Sequence, residues 1–275
     1  MAHKHIIKIV DGAFKGAYGL GFSGANGSAR PAHIIWDRSE SNSDTEVIVF
    51  TDSHLEEARQ STVQKKIGLL IESPGMRPAI YAWIRANYHL FDVVFTHQRD
   101  LAEMGEPFRF MTLGGSRIPL EEWGIYPKHR LVNIVASDKT KLPGHRIRHM
   151  VTRLDGVDAY GPSYIPLVQK SDLKHYYFSI VTENCNLDWY FTEKLIDAFA
   201  LGILPIYWGC DVSKFFDMDG IITFDTVEGL AKLIPKLTPE FYHERMDAVM
   251  ENYKLAHSYR CPEDCLWENH LGVFV

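Results

Sequence analysis

Glu193 and Lys194 stand side by side in "YFTEKLIDAFALGILPIYWG", residues 190 to 209, where an amphipathic helix runs into an apolar strand. Leu195 with Phe199, and Ile196 with Ala200, give that helix one apolar face, so it packs on a sheet. Thr192 suits its N-cap, although no Glu or Gln follows three residues later to complete a capping box. Lys194 then falls in the first turn, where exposed N–H groups already make the helix end electropositive. A cation is the wrong sign there unless an anion is held with it, and a bound diphosphate is such an anion. The helix alone is better explained by a solvated surface pair. The strand before it changes the balance: "YYFSIVTENC" is apolar almost throughout and ends in Thr182, Glu183 and Asn184. A strand's C-terminal edge and the next helix's N-terminus are where α/β folds bind nucleotides. Glu183, Asn184, Glu193 and Lys194 are therefore expected to line one pocket, carboxylate to ribose hydroxyls and ammonium to phosphate.

A basic stretch, "KTKLPGHRIRHMVTRL" at residues 139 to 154, follows another strand. Arginine meets phosphate oxygens in pairs and keeps its charge at any working pH. Arg146 and Arg148 lie two apart and cannot share a helical face, so only one of them is expected to reach the diphosphate, with the choice open. His145 and His149 have metal-ligand spacing but lack a third ligand, and no metal site is expected. In "GLLIESPGMRP" an apolar strand ends at Glu72, before a Ser-Pro-Gly turn. A carboxylate displayed there is placed to act as a general base, although a strand-end Glu is more often simply solvated. Three motifs are set aside. "GLGFSG", residues 19 to 24, is followed by no helix, "DMD", residues 217 to 219, reads as a turn, and the N-G-S at Asn26 has no secretory context.

The elements that must carry these residues alternate strand and amphipathic stretch, which favours α/β architecture with largely parallel sheets. "HIIKIVD", "EVIVFTD", "IGLLIES", "FDVVFTH" and "FRFMTL" read as strands of a first half, with "SHLEEARQSTVQKK" and "PAIYAWIRANYHL" as helices. "RLVNIVAS", "VDAYG", "YYFSIVTE", "ILPIYWG" and "GIITF" restart the pattern, and "PEFYHERMDAVMENYKLAHSY" reads as one long closing helix. Two domains are expected, residues 1–126 and 127–275, with the last helix packing back on the first and the ligand in the cleft between them. The chain of 275 residues is 46% hydrophobic and 23% charged, a globular composition. Its formal net charge of -6 argues against nucleic acid as a partner. The N-terminal apolar run is too short for a membrane span or a signal core, which predicts no integral membrane segment and a cytoplasmic protein. The four cysteines are expected to be unpaired thiols.

"TENCNLDWYFTEKLIDAFALGILPIYWG" resembles the signature of the glycosyltransferase family 10 α-1,3/1,4-fucosyltransferases, E-N-S, a gap, Y-x-T-E-K, a helix, then P-I/V-Y/V-x-G. "LVNIVAS" with the later arginines and "VDAYG" is similar to the family's V-x-S…R…V-D-x-Y-G segment, "IESPG" to its Phe-Glu-Ser-Pro segment, and "FDVVFTHQRD" to the stretch after it. The likeness spans about residues 67 to 225; the first 60 residues are not matched, Cys185 replaces the usual Ser, and "NLDWYF" alters the gap. It implies two Rossmann-like domains of the GT-B type, inversion at the anomeric carbon, and a glycan or glycoconjugate acceptor. L-fucose from GDP-fucose is the implied donor group, a substrate rather than a bound cofactor, and activity is expected to be metal-independent or weakly stimulated by a divalent cation. Glu72 would be the catalytic base. Arg146 or Arg148, Glu183, Asn184, Tyr190, Glu193 and Lys194 would hold the donor, with Glu193 on the ribose diol. Another nucleotide sugar, such as a xylosyl donor, would use the same machinery. A non-catalytic glycan- or nucleotide-binding module would have no need of Glu72.

Overall fold

In the computed structural model, residues 4–11, 31–39 and 46–274 are described. The "GLGFSG" stretch and Asn26 lie outside them. The chain divides into two compact units, Met1–Leu113 with Cys261–Val275, and Gly114–Arg260.

In the first unit, β1 (His5–Val10), β2 (Ile34–Asp37), β3 (Val47–Thr51), β4 (Lys65–Leu69), β5 (Val93–Thr96) and β6 (Phe108–Phe110) form one sheet in the order β2-β1-β3-β4-β5-β6. Every neighbouring pair is parallel. The chain steps outward from β1 to β2 and returns past β1 to β3, so the C-terminal ends of β1 and β3 flank a topological switch point. Helix α1 (Pro78–Asn87) starts with proline at its first position, and the short α2 (Arg99–Ala102) follows β5. The C-terminal helix, Pro262–Phe274, belongs to this unit. Its buried Glu263 accepts the Trp36 indole N–H at 3.2 Å, and its Asp264 accepts the Ala32 N–H at 2.6 Å.

In the second unit, β7 (Arg130–Val135), β8 (Asp158–Tyr160), β9 (Tyr176–Thr182), β10 (Leu204–Trp208) and β11 (Ile222–Thr223) form a parallel sheet in the order β11-β10-β9-β7-β8. The switch point here lies between the C-terminal ends of β7 and β9. Helices α3 (Pro143–Val151) and α4 (Glu193–Ala200) follow β7 and β9, and α5 (Val227–Leu233), α6 (Pro239–His243) and α7 (Met246–Ala256) complete the unit. Where the unit begins and ends, the Gly115 N–H bonds the Tyr259 carbonyl at 2.7 Å. Gly114, at φ 43, runs so close to Tyr259 that a Cβ would stand 2.7 Å from that oxygen, so only glycine fits.

The structure departs from the sequence reading in four places. "IIWD" is a strand too short for its alternation to register. "SHLEEARQSTVQKK" is not an α-helix: Asp52–Arg59 is 3-10, buried only at Leu55 and Ala58, the three-residue spacing of that helix, and β4 already starts at Lys65. The closing helix is broken at Arg245 (φ -110, ψ 14), between α6 and α7. Residues 114–126 group with the second unit, because Ser116 and the Arg117 N–H bond Asp197 and Trp123 joins the core around α4.

Candidate functional site

The second unit gathers its charges at its switch point. Glu183 follows β9, is completely buried, and accepts the Thr192 N–H at 2.8 Å and the Thr192 hydroxyl at 2.8 Å. Thr192 is the N-cap of α4, as its sequence position predicts. The carboxylate that completes the cap comes from the preceding strand, which explains how the helix does without a Glu three residues on. Lys194 donates to Thr192 Oγ1 at 2.7 Å and lies 3.3 Å from Glu183 Oε2 and 3.4 Å from Glu193 Oε1. The anion that reconciles a lysine with this helix start is thus the protein's own Glu183. This corrects the expectation for Glu183, whose oxygens face Thr192 and Lys194 from a fully buried position and are not presented to ribose.

The two arginines separate as their spacing requires. Arg148 is buried, with Nε donating to Thr182 Oγ1 at 3.0 Å and an Nη donating to the Thr182 carbonyl at 2.7 Å. Arg146 is exposed and donates to the Lys141 carbonyl. The start of α3 fits against the end of β9 only because residue 144 is glycine: its N–H meets the Asn184 carbonyl at 3.1 Å, and a Cβ would lie 1.7 Å from the Glu183 carbonyl oxygen. His145 accepts the Leu142 N–H at Nδ1, so its proton sits on Nε2, which bonds the Asn184 side-chain oxygen at 3.1 Å. Burial and the Arg148 cation hold that imidazole below its ordinary pKa. His149 pairs with Tyr164 and the Lys139 carbonyl, so both histidines are engaged with protein groups. Tyr190 is buried, and its carbonyl accepts from Cys210.

Three charged partners were not singled out by the sequence. Asp197, one helical turn beyond Glu193, accepts Ser116 Oγ and the Arg117 N–H at 2.8 Å each and pairs with Lys170. Arg117 stands 3.7 Å from Glu193. A lone acid at i+4 in an apolar helix was the available signal for Asp197. Burial works to raise the Glu193 pKa, but Lys194, Lys170 and Arg117, with a Thr192 hydrogen bond, hold it down at about 2. Its contribution to stability is therefore complete above its ordinary value of 4.5 and lost as pH falls toward about 2. Melting curves of Glu193→Gln and the parent should accordingly differ at neutral pH and converge in acid. Lys194 is held above its ordinary pKa: burial opposes its charge, and Glu183 and Glu193 overcome that. A cavity of about 50 Å³ lies against Lys194, Arg148, Lys170 and Asp197, room for a water or two.

In the first unit, half-buried Glu72 stands beyond the end of β4, before the turn in which the Met76 and Arg77 N–H groups bond the Ser73 carbonyl. Asp52, after β3, accepts the Glu72 N–H, and the Tyr81 hydroxyl donates to the Glu72 carbonyl at 2.9 Å. Asp52 was part of a strand-end pattern, carboxylate after an apolar run, that also marks Glu72 and Glu183.

No protein-family model and no curated protein matches the sequence. Solved structures do resemble the fold. An α1,3-fucosyltransferase structure aligns over 88% of this chain and 80% of its own, with a TM-score of 0.55 and 15% identity. The α1,3-fucosyltransferase with GDP aligns over 82% and 81%, with a TM-score of 0.54 and 15% identity. An α-glucosyltransferase in complex with UDP and a 13-mer DNA aligns over 84% and 80%, with a TM-score of 0.52 and 9% identity. At such identities the likeness is one of fold. The fold is that of the GT-B glycosyltransferases, two α/β units each built on a parallel sheet.

Proposed function

We propose that the chain is an inverting glycosyltransferase that moves L-fucose from GDP-fucose to a hydroxyl of an oligosaccharide or glycoconjugate. The observation that carries the reading is a surplus of positive charge at the second unit's switch point. Arg117, Arg148, Lys170 and Lys194 outnumber Glu183, Glu193 and Asp197 by one. A diphosphate meets that surplus where parallel sheets bind nucleotides. Lys194 and Arg148 hold the diphosphate in this reading, Arg148 rather than Arg146 because it shares the cavity wall with Lys194. Glu193, the less buried carboxylate, takes the ribose diol, with Asn184 and Tyr190 shaping the pocket around it. Glu72 takes the proton of the acceptor hydroxyl as that oxygen bonds to the anomeric carbon. The bond from that carbon to the phosphate oxygen breaks, and GDP leaves with the electron pair, its charge stabilised by the two cations. Fixed cations of this kind serve the leaving group without a metal, so at most weak stimulation by a divalent cation is proposed.

The cytoplasm is part of the same proposal, on the ground that Cys210, Cys261 and Cys265 are free thiols, as a reducing compartment keeps them. No helix among the described residues is long and apolar enough to cross a membrane.

Calorimetric titration with GDP, UDP and CMP, followed by GDP release from GDP-fucose across an oligosaccharide panel, tests the reading. GDP is expected to bind tightest and one class of acceptor to speed its release. Tighter binding of UDP would shift the proposal to another nucleotide sugar, such as a xylosyl donor. GDP binding with no transfer to any acceptor would favour a non-catalytic binding module.

A further inference from the structure

Two non-glycine residues of the described backbone have positive φ, Asp52 at 38° and Trp189 at 65°. Asp52 follows β3, one of the two strands that flank the first unit's switch point. Aspartate tolerates the left-handed region better than most residues, yet the conformation still has a cost, and such costs gather at functional sites. Here the conformation turns the carboxylate onto the neighbouring strand's end. Oδ1 accepts the Ile71 N–H at 2.9 Å, and both oxygens accept the Glu72 N–H at 3.3 Å. From the other side, the Tyr81 hydroxyl donates to the Glu72 carbonyl at 2.9 Å and lies 3.1 Å from buried His97 Nε2. Both peptide groups of Glu72 are therefore clamped by side chains. Glu72 is half-buried, so water could satisfy these backbone groups; what side chains add is a fixed direction.

We propose that Asp52 is a positioning residue for Glu72: its carboxylate grips the Ile71 and Glu72 N–H groups and so aims the Glu72 side chain at the acceptor hydroxyl. The inference rests on the reading of Glu72 as the base. Burial pushes the Asp52 carboxyl up to about 6, against the pull of the Ile71 and Glu72 N–H groups, with the Glu72 charge pushing the same way and Arg77 opposing. The group is thus ionised at neutral pH at some cost to stability, a cost that appears as pH rises from its ordinary value toward 6.

Two substitutions fit the left-handed backbone and separate the roles. Asp52→Gly removes the carboxylate without backbone strain, whereas Asp52→Asn keeps an oxygen where Oδ1 holds both N–H groups. Each would be assayed in the full chain with GDP-fucose and the most effective acceptor of the oligosaccharide panel, alongside Glu72→Gln, with rates normalised to GDP-binding sites. Asp52→Gly is expected to lower kcat about 10- to 100-fold with the donor KM unchanged, as misplacing a reacting group does. Asp52→Asn is expected to recover kcat to within about threefold of the parent, because the clamp survives without the charge. An Asp52→Gly protein with near-parental kcat, or an Asp52→Asn protein as slow as Asp52→Gly, overturns the inference while an inactive Glu72→Gln leaves the base assignment standing. A fully active Glu72→Gln, or no transfer from GDP-fucose at all, removes the base and the inference with it.

Discussion

A Lys194→Ala protein is expected to bind GDP more weakly and to turn over about 100-fold more slowly, the loss typical of one preorganised charge stabiliser. It is also expected to melt earlier. Lys194 is the cation beside fully buried Glu183, and removing one partner of a buried pair costs about 3 kcal/mol because the other charge is left behind. Stability and chemistry are separated by the double variant Lys194→Met with Glu183→Gln. It removes both charges, keeps a Glu183 side-chain oxygen for the Thr192 N–H, and should regain most of the lost melting temperature. If GDP affinity and turnover stay low in that stable variant, Lys194 serves the donor. Recovery of both along with the melting temperature would reduce Lys194 to a structural partner of Glu183.

Glu72→Gln should fold as the parent does and bind GDP with parental affinity, while kcat falls by roughly 10²- to 10⁴-fold, the range for a lost general base. The fold is expected to survive because the contacts that hold this residue, from Asp52 and Tyr81, go to its backbone and not to its carboxylate. GDP affinity is expected to survive because the charges proposed for the diphosphate all belong to Gly114–Arg260, the other unit. Near-normal transfer would assign the proton to another residue.

Long-range pairing divides what the sequence could tell from what it could not. Apolar runs such as "YYFSIVTE" and "ILPIYWG" announced β9 and β10, because strands buried on both faces need no alternation to be recognised. Lys194 was legible as a residue that needed an anion, since the electrostatics of a helix start is local. That the anion is Glu183, eleven residues away, depends on a strand-to-helix crossing that periodicity does not encode. Arg148 could be told from Arg146 only once α3 had a buried side. Asp197, Lys170 and Arg117 meet across separations of 80 and 27 residues, where no spacing rule applies. "IIWD" was missed for a local reason, a strand of four residues being too short for alternation to register.

The Gly115–Tyr259 hydrogen bond makes the second unit a pinched insertion in the chain of the first. As the chain is synthesised, all of Gly114–Arg260 precedes the helix that completes the first unit. Joining Glu263 to Trp36 through an open chain would mean closing a loop of 227 residues. Once the insertion has folded and its ends are pinned, the loop that remains is roughly a third as long, which lowers its closure entropy by about 1 kcal/mol. The inserted half of the molecule thus works as a clip for the interrupted half, and the cost of a discontinuous domain is met before its last segment arrives.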